Sequence, residues 1–126
     1  MRYYALIRKE GSSDYGVEFP DFPGCITAGK DLDEAARLAE EALNFHIDGL
    51  LEDGGSLPTP SSLEDIDASG AVPFVVQAYD RARKRINITL PEWLIVQIDN
   101  AALASGTSRS GLIEEATKEK LTGSYG

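Results

Sequence analysis

The sequence predicts an α+β protein in which a β-β-β-α-β segment is followed by a β-α-α segment. Short strand-like stretches surround one long helical stretch in the first two-thirds of the chain. A further strand-like stretch then leads through Pro91 into two helical stretches separated by Gly106. Turns rich in glycine and proline separate the elements.

The first segment begins with three predicted strands, at 3–9, 15–19 and 25–28. The turn sequences EGSSD and PDFPG join them. In the second strand apolar and polar residues alternate, which is the period of a half-buried strand. We expect the three strands to form an antiparallel meander.

A helix is predicted over 32–52, with Asp31 as its N-cap and a Gly-Gly pair after its end. Its expected core face holds six residues at helical spacing: Leu32, Ala36, Ala39, Leu43, Ile47 and Leu50. The opposite face is polar: Glu34, Arg37, Glu41, Asn44, Asp48 and Glu52. After a turn-rich stretch at 56–70, a fourth strand rich in β-branched and aromatic residues is predicted over 72–80.

The formal charge divides the chain into two parts. Residues 1–79 carry five basic and fifteen acidic side chains, a net charge of -10, whereas residues 80–126 carry seven basic and six acidic ones, a net charge of +1. We therefore predict a first domain at 1–79, a charged connector at 80–84 and a second domain at 85–126. An acidic first domain repels nucleic acid and attracts a basic protein, although acidic surfaces also serve solubility alone.

The second domain is predicted to contain a strand at 85–90, a helix at 91–104 and a helix at 108–121, with a frayed tail at 122–126. One short strand and two helices leave an apolar face open and cannot fold alone. Two copies solve this problem, because their strands pair antiparallel and their four helices bury a shared core. The segment therefore predicts an obligate dimer.

Strict alternation in the 85–90 strand assigns a role to each side of the ribbon. Ile86, Ile88 and Leu90 face the dimer core. The polar side chains Arg85, Asn87 and Thr89 face outward together. A two-stranded ribbon fits the major groove of DNA, where arginine pairs with guanine and asparagine with adenine. Threonine can donate a hydrogen bond to a base or contact the thymine methyl group. We expect these three residues to contact bases.

The start of the last helix is the expected site for DNA phosphate. A helix N-terminus offers free N–H groups and the positive end of the helix dipole. Ser108, Arg109 and Ser110 surround this terminus, and we expect them to bind the DNA backbone. Trp93, on the preceding helix, is expected to be a core or dimer-contact residue rather than a platform for bases.

No enzymatic activity, metal or cofactor is expected. The spacing of the carboxylates does not make them converge, as the metal-dependent nucleases require. His46 falls at the edge of the apolar helix face, so a partly buried structural histidine is favoured over a catalyst. Cys25, the single cysteine, is predicted to pack in the core and excludes an internal disulfide. No signal peptide or membrane-spanning run is recognised, which favours the cytoplasm.

Two parts of the sequence resemble known families. Residues 85–121 resemble a ribbon-helix-helix repressor domain in three motifs, an LPE-x-L step, an ID-x-x-A helix and an SRS-x-x-I helix. Residues 3–79 resemble the N-terminal domain of HicB antitoxins. The residues that carry this second resemblance are Tyr15, the run PDFPGC from Pro20 to Cys25, Thr27, Gly29, and Glu34 with Ala35. Together the two resemblances cover nearly the whole chain.

The resemblance implies a fold and a function. The first domain is expected to be a partial RNase H-like fold that binds and covers HicA, a small basic mRNA interferase toxin. The second is expected to bind operator DNA as a homodimer or a dimer of dimers, with no membrane partner. Asp21 and Phe22 are candidate toxin contacts, although Phe22 could equally fold back onto the sheet. Two alternatives remain open, an orphan regulator with a sensory first domain and a hydrolase.

Overall fold

The computed structural model describes residues 1–123, and the chain divides into two compact units, Met1–Ala82 and Arg83–Gly126. The boundary falls inside the connector 80–84 expected from the sequence. Residues 124–126, which belong to the tail expected to be frayed, lie outside the described residues.

The first unit holds a four-stranded antiparallel sheet. Its strands are β1 (Arg2–Lys9), β2 (Tyr15–Glu18), β3 (Ile26–Gly29) and β4 (Val72–Gln77), and they lie side by side in the order β3-β2-β1-β4. The expected meander of the first three strands is present, and the α+β class is confirmed. The fourth strand ends three residues earlier than the sequence suggested, because the backbone N–H of Tyr79 donates to a helix side chain instead of a neighbouring strand.

One long helix, α1 (Leu32–Glu52), packs on one face of the sheet. Asp31 caps it as predicted, since its Oδ1 accepts a hydrogen bond from the N–H of Glu34 at 2.8 Å. The core between helix and sheet is made of side chains from both layers: Tyr3, Ala5, Ile7, Val17, Phe19, Ala39, Leu43, Ile47 and Val76.

The core face of α1 differs from the predicted one at two places. Leu32 and Ala36 are exposed, and Ala35 is fully buried instead. The reason is the tight approach of the helix to β3, where a Cβ added to Gly29 would lie 2.4 Å from the backbone nitrogen of Ala35. Asn44, predicted on the polar face, is also buried.

The second unit contains α2 (Glu92–Ser105) and α3 (Arg109–Gly123). Gly106 ends α2 in the left-handed conformation with φ of 71°, a conformation that favours glycine. On α2 the side chains of Leu94, Ile95 and Ile98 are partly buried, and Ala102 is buried. The periodicity of the sequence predicts these four and Ala101 on the inward face, but Ala101 is exposed in the single chain.

Candidate functional site

The segment 85–90 presents both of its sides to solvent in the single chain. Arg85, Asn87 and Thr89 are exposed, and so are Ile86 at 73% and Ile88 at 57%. The segment has no assigned secondary structure in the single chain. Pairing of this segment with a second copy of the chain stays a prediction. The two exposed isoleucines form an apolar surface that a second copy could cover.

Ser108 is the N-cap of α3. Its Oγ accepts a hydrogen bond from the N–H of Gly111 at 3.0 Å, and its carbonyl accepts the N–H of Leu112 at 2.9 Å. Ser110 is exposed in the first turn of the helix. The structure therefore gives Ser108 a capping role, beside any contact with phosphate.

Arg109, the expected phosphate ligand, is held by a carboxylate on the other helix. Its Nε and Nη2 donate to the two oxygens of Asp99, each at 2.8 Å. These hydrogen bonds lower the pKa of Asp99 and raise the pKa of Arg109. The pair joins α2 to α3 across the Gly106 turn. Sequence reasoning missed Asp99, although two opposite charges on either side of a glycine turn between helices are a recognisable signal.

The two candidate toxin contacts have structural roles in the first unit. The Phe22 side chain is only 2% exposed and packs edge-on against Tyr3, with ring centroids 4.6 Å apart. This is the alternative in which it folds back onto the sheet. The Asp21 carboxylate accepts hydrogen bonds from the N–H and the hydroxyl of Ser61, at 2.9 and 2.6 Å. It thereby fixes the long loop between α1 and β4.

Cys25 and His46 lie where the sequence suggested. Cys25 is buried, its thiol is 3.6 Å from the carbonyl oxygen of Ala42, and burial raises its pKa. His46 is partly buried, and its ring packs edge-on against Phe22 at 5.8 Å. Within residues 1–123, no group of three or more histidine, cysteine or acidic side chains is arranged to hold a metal ion. No helix in that range has both the length and the apolar character to cross a membrane.

The outer face of α1 is a surface that sequence reasoning described incompletely. We define this outer face as Glu41, Phe45, Asp48 and Glu52. Phe45 is 83% exposed at its centre. Asp48 is paired with Arg81, whose Nε lies 2.8 Å from its Oδ1. The polar face predicted from the sequence contained the three acids but not Phe45.

The chain combines two different units. The first is an acidic unit of one sheet and one helix, and the second is a pair of helices preceded by an exposed segment of alternating apolar and polar residues. Residues 3–117 match the family described as HicB_like antitoxin of bacterial toxin-antitoxin system. The chain therefore belongs to the HicB-like antitoxin family.

Relatives match either nearly the whole chain or about half of it. An uncharacterised 14.9 kDa protein of Haemophilus phage HP1 is 33% identical over 128 residues, which span 94% of this chain and 96% of the relative. Antitoxin HicB 2 of Photorhabdus laumondii is 36% identical over 62 residues, which span 49% of this chain and 44% of the relative.

Solved structures agree with this assignment. The Burkholderia pseudomallei antitoxin HicB superposes with a TM-score of 0.58 at 30% identity, covering 96% of this chain and 98% of that one. A chain from a HicA3 and HicB3 toxin-antitoxin complex superposes with a TM-score of 0.53 at 30% identity. It covers 64% of this chain and 100% of that one.

Proposed function

We propose that this antitoxin neutralises a HicA-type mRNA interferase through its acidic first unit and represses its own operon through its second unit. The observation that carries the proposal is the division of charge, -10 over residues 1–79 and +1 over residues 80–126. Opposite charge accelerates association with a basic protein, and like charge keeps DNA away from the first unit. A related HicB chain occurs in a complex with HicA3, which supports the choice of toxin.

We further propose that the toxin docks on the outer face of α1. An exposed aromatic side chain surrounded by charges is typical of an energetic hot spot, because the ring is desolvated at the centre while the charges steer the partner. Phe45 is 83% exposed between Glu41 and Asp48, one turn away on either side. Asp21 and Phe22 fit this role less well, because one is hydrogen-bonded to Ser61 and the other is buried.

Charge reversal on the outer face should weaken toxin binding. We expect Glu41→Lys with Glu52→Lys to raise the Kd for the toxin encoded beside this gene by about 100-fold, since like charges then face a basic partner. The measurement is isothermal titration with the purified toxin, together with its RNA cleavage in the presence of each antitoxin variant.

A matched control separates direct contact between the toxin and the outer face of α1 from long-range attraction by the net charge of the unit. Glu64→Lys with Asp65→Lys makes the same change in charge on the exposed 3₁₀ turn Leu63–Asp65 of the same unit. Equal weakening by both pairs would refute docking on the outer face of α1. A wild-type chain that neither binds nor silences the toxin would refute the antitoxin function itself.

For DNA, we propose that Arg85, Asn87 and Thr89 contact bases while the start of α3 contacts phosphate. Support comes from the exposure of all three polar side chains, which makes them accessible to the major groove of DNA. Arg109 is also accessible, although any phosphate has to share its guanidinium with Asp99. Bidentate arginine pairs with phosphate as readily as with carboxylate, so sharing is chemically reasonable.

Three variants test the division between base and phosphate contacts. Arg85→Ala should weaken binding to a duplex from upstream of the gene by roughly 1–3 kcal/mol while leaving random DNA unaffected. Arg109→Ala should weaken all sequences alike and flatten the salt dependence. Asp99→Ala, which frees the guanidinium, should retain or strengthen binding.

The measurement is fluorescence anisotropy at two salt concentrations. If Asp99→Ala and Arg109→Ala weaken binding equally, the bridge matters only for holding α2 to α3. If Arg85→Ala weakens random and upstream DNA alike, Arg85 does not contact a base.

A further inference from the structure

The start of the connector is fastened to α1 by a single side chain. Arg81 donates from Nη2 to the carbonyl oxygen of Asn44 at 2.7 Å and to its Oδ1 at 3.2 Å. Its Nη1 donates to the carbonyl oxygen of Tyr79 at 3.0 Å, and its Nε donates to Oδ1 of Asp48 at 2.8 Å. One guanidinium therefore joins the residues after β4 to the outer face of α1.

Asp48 is the charged acceptor among these four. The other three are neutral oxygens, so the ion pair with Asp48 is the part of the contact that depends on opposite charge. The Arg81 side chain is 25% exposed, whereas the Asp48 side chain is 55% exposed. The guanidinium is therefore largely covered, while the carboxylate remains accessible to a partner from outside.

A basic partner that docks on the outer face competes with Arg81 for this carboxylate. Asp48 lies one turn beyond Phe45 on the helix, so a cation beside the docked ring reaches it. The cation and the guanidinium repel each other, and each weakens the hold of the other on the carboxylate. Asp48 does not need Arg81 for its position, because its backbone lies within the 21-residue helix α1.

We propose that Arg81 is an internal competitor of the toxin for Asp48. A basic side chain of the docked toxin takes the carboxylate, and Arg81, left with neutral acceptors, loosens its hold on α1. The proposal rests on the proposed function, because it requires the toxin to dock on the outer face of α1. Coupling of this kind is reciprocal, so the factor by which Arg81 weakens toxin binding is also the factor by which the toxin weakens the Arg81 contact. Toxin docking therefore loosens the connector where it leaves the first unit.

Affinity for the toxin tests the competition. The full chain and its Arg81→Gln variant are titrated with the purified toxin encoded beside this gene. Arg81→Gln should lower the Kd by about fivefold, which corresponds to the strength of an exposed ion pair. The same substitution should have no effect on the Kd in an Asp48→Asn background, because that background holds no carboxylate for the two cations to compete for.

Arg8→Gln is the matched control. Arg8 forms an ion pair with Glu18 in the same unit, so its replacement also uncovers a carboxylate and makes the same change in charge. Both residues lie on the face of the sheet opposite α1, since their neighbours Ile7 and Val17 point into the core. Arg8→Gln should change the Kd by less than about twofold, through net charge alone.

The outcomes distinguish the competition from the proposed function. An Arg81→Gln variant that binds the toxin like the wild-type chain, or more weakly, overturns the competition. A gain in affinity that Arg8→Gln equals, or that persists with Asp48→Asn, also overturns it, because net charge would then be the cause. In each of these cases docking on the outer face stands as long as Glu41→Lys with Glu52→Lys weakens toxin binding.

Trypsin provides a readout on the wild-type chain that does not depend on how the variants fold. The protease cleaves after arginine and has to take the arginine side chain into its specificity pocket. The Arg83 side chain, which is 80% exposed, serves as the internal reference for Arg81. The ratio of early cuts after Arg81 to early cuts after Arg83, measured by mass spectrometry, should rise by about fivefold when saturating toxin is bound. A ratio that stays the same or falls overturns the release of Arg81.

Discussion

Gly29→Ala is expected to destabilise the chain by about 3 kcal/mol, because it overpacks the contact between β3 and α1. The added Cβ would lie 2.4 Å from the backbone nitrogen of Ala35 and 2.7 Å from its Cα, which real Cβ atoms do not tolerate. Both neighbours are main-chain atoms, so no side chain can rotate away. Relief requires α1 to move off the sheet and to open the core around Ala39 and Leu43.

Urea denaturation followed by circular dichroism measures this effect. Gly16→Ala is the matched control, since Gly16 lies on the adjacent strand and its added Cβ meets only the Arg8 carbonyl oxygen at 3.9 Å. We expect the control to stay within about 1 kcal/mol of the wild-type chain. A Gly29→Ala variant as stable as the control would show that α1 packs on β3 less tightly than the structure indicates.

Asn44→Ala is the second large effect, at about 3 kcal/mol of lost stability. The buried amide makes four hydrogen bonds, one within α1 and three to the end of β4 and the residues that follow it. Its Nδ2 donates to the carbonyls of Glu40 at 2.8 Å and Gln77 at 3.0 Å. Its Oδ1 accepts the N–H of Tyr79 at 2.8 Å and the Arg81 guanidinium at 3.2 Å. Truncation to alanine removes the hydrogen-bond partner of the Gln77 carbonyl, the Tyr79 N–H and the Arg81 guanidinium, and the first two of these are backbone groups.

Thermal unfolding of two companion variants separates the loss of the Asn44 hydrogen bonds from the general effect of replacing an asparagine in a helix. Asn44→Asp keeps the acceptor for Tyr79 but loses both donors, so we expect an intermediate loss. Asn100→Ala removes an exposed asparagine from the middle of α2 and should change stability by less than about 0.5 kcal/mol. If Asn44→Ala behaves like Asn100→Ala, water or a rearranged Arg81 satisfies the groups that the amide leaves behind.

Local signals in the sequence were sufficient for the order of elements. The Asp31 cap and the Gly106 stop each act within a few residues, so a linear pattern contains all that they need. The same holds for the alternation in β2. Strand ends were less predictable, because β4 ends where Tyr79 turns to Asn44, which lies 35 residues earlier in the chain.

Tertiary contacts determined which residues of α1 are buried, and helical spacing in the sequence could not predict this fully. Helical spacing alone allowed Leu32 and Ala36 in the core, and the close approach at Gly29 buried Ala35 instead. A polar residue such as Asn44 is assigned to the surface by default, and only its distant backbone partners make burial possible. The candidate base contacts were found from periodicity, but periodicity gives no sign that Asp99 pairs with Arg109 across the Gly106 turn.

The environment of Cys25 has a practical consequence. Its thiol is buried and its pKa is raised, so at neutral pH it exists as a slow-reacting neutral thiol. A cysteine introduced at an exposed position will therefore react with maleimide dyes far faster than the native one. Single-molecule fluorescence studies of such a variant, with Cys25 left in place, can then test the proposed toxin docking and DNA binding with one chosen label per protomer.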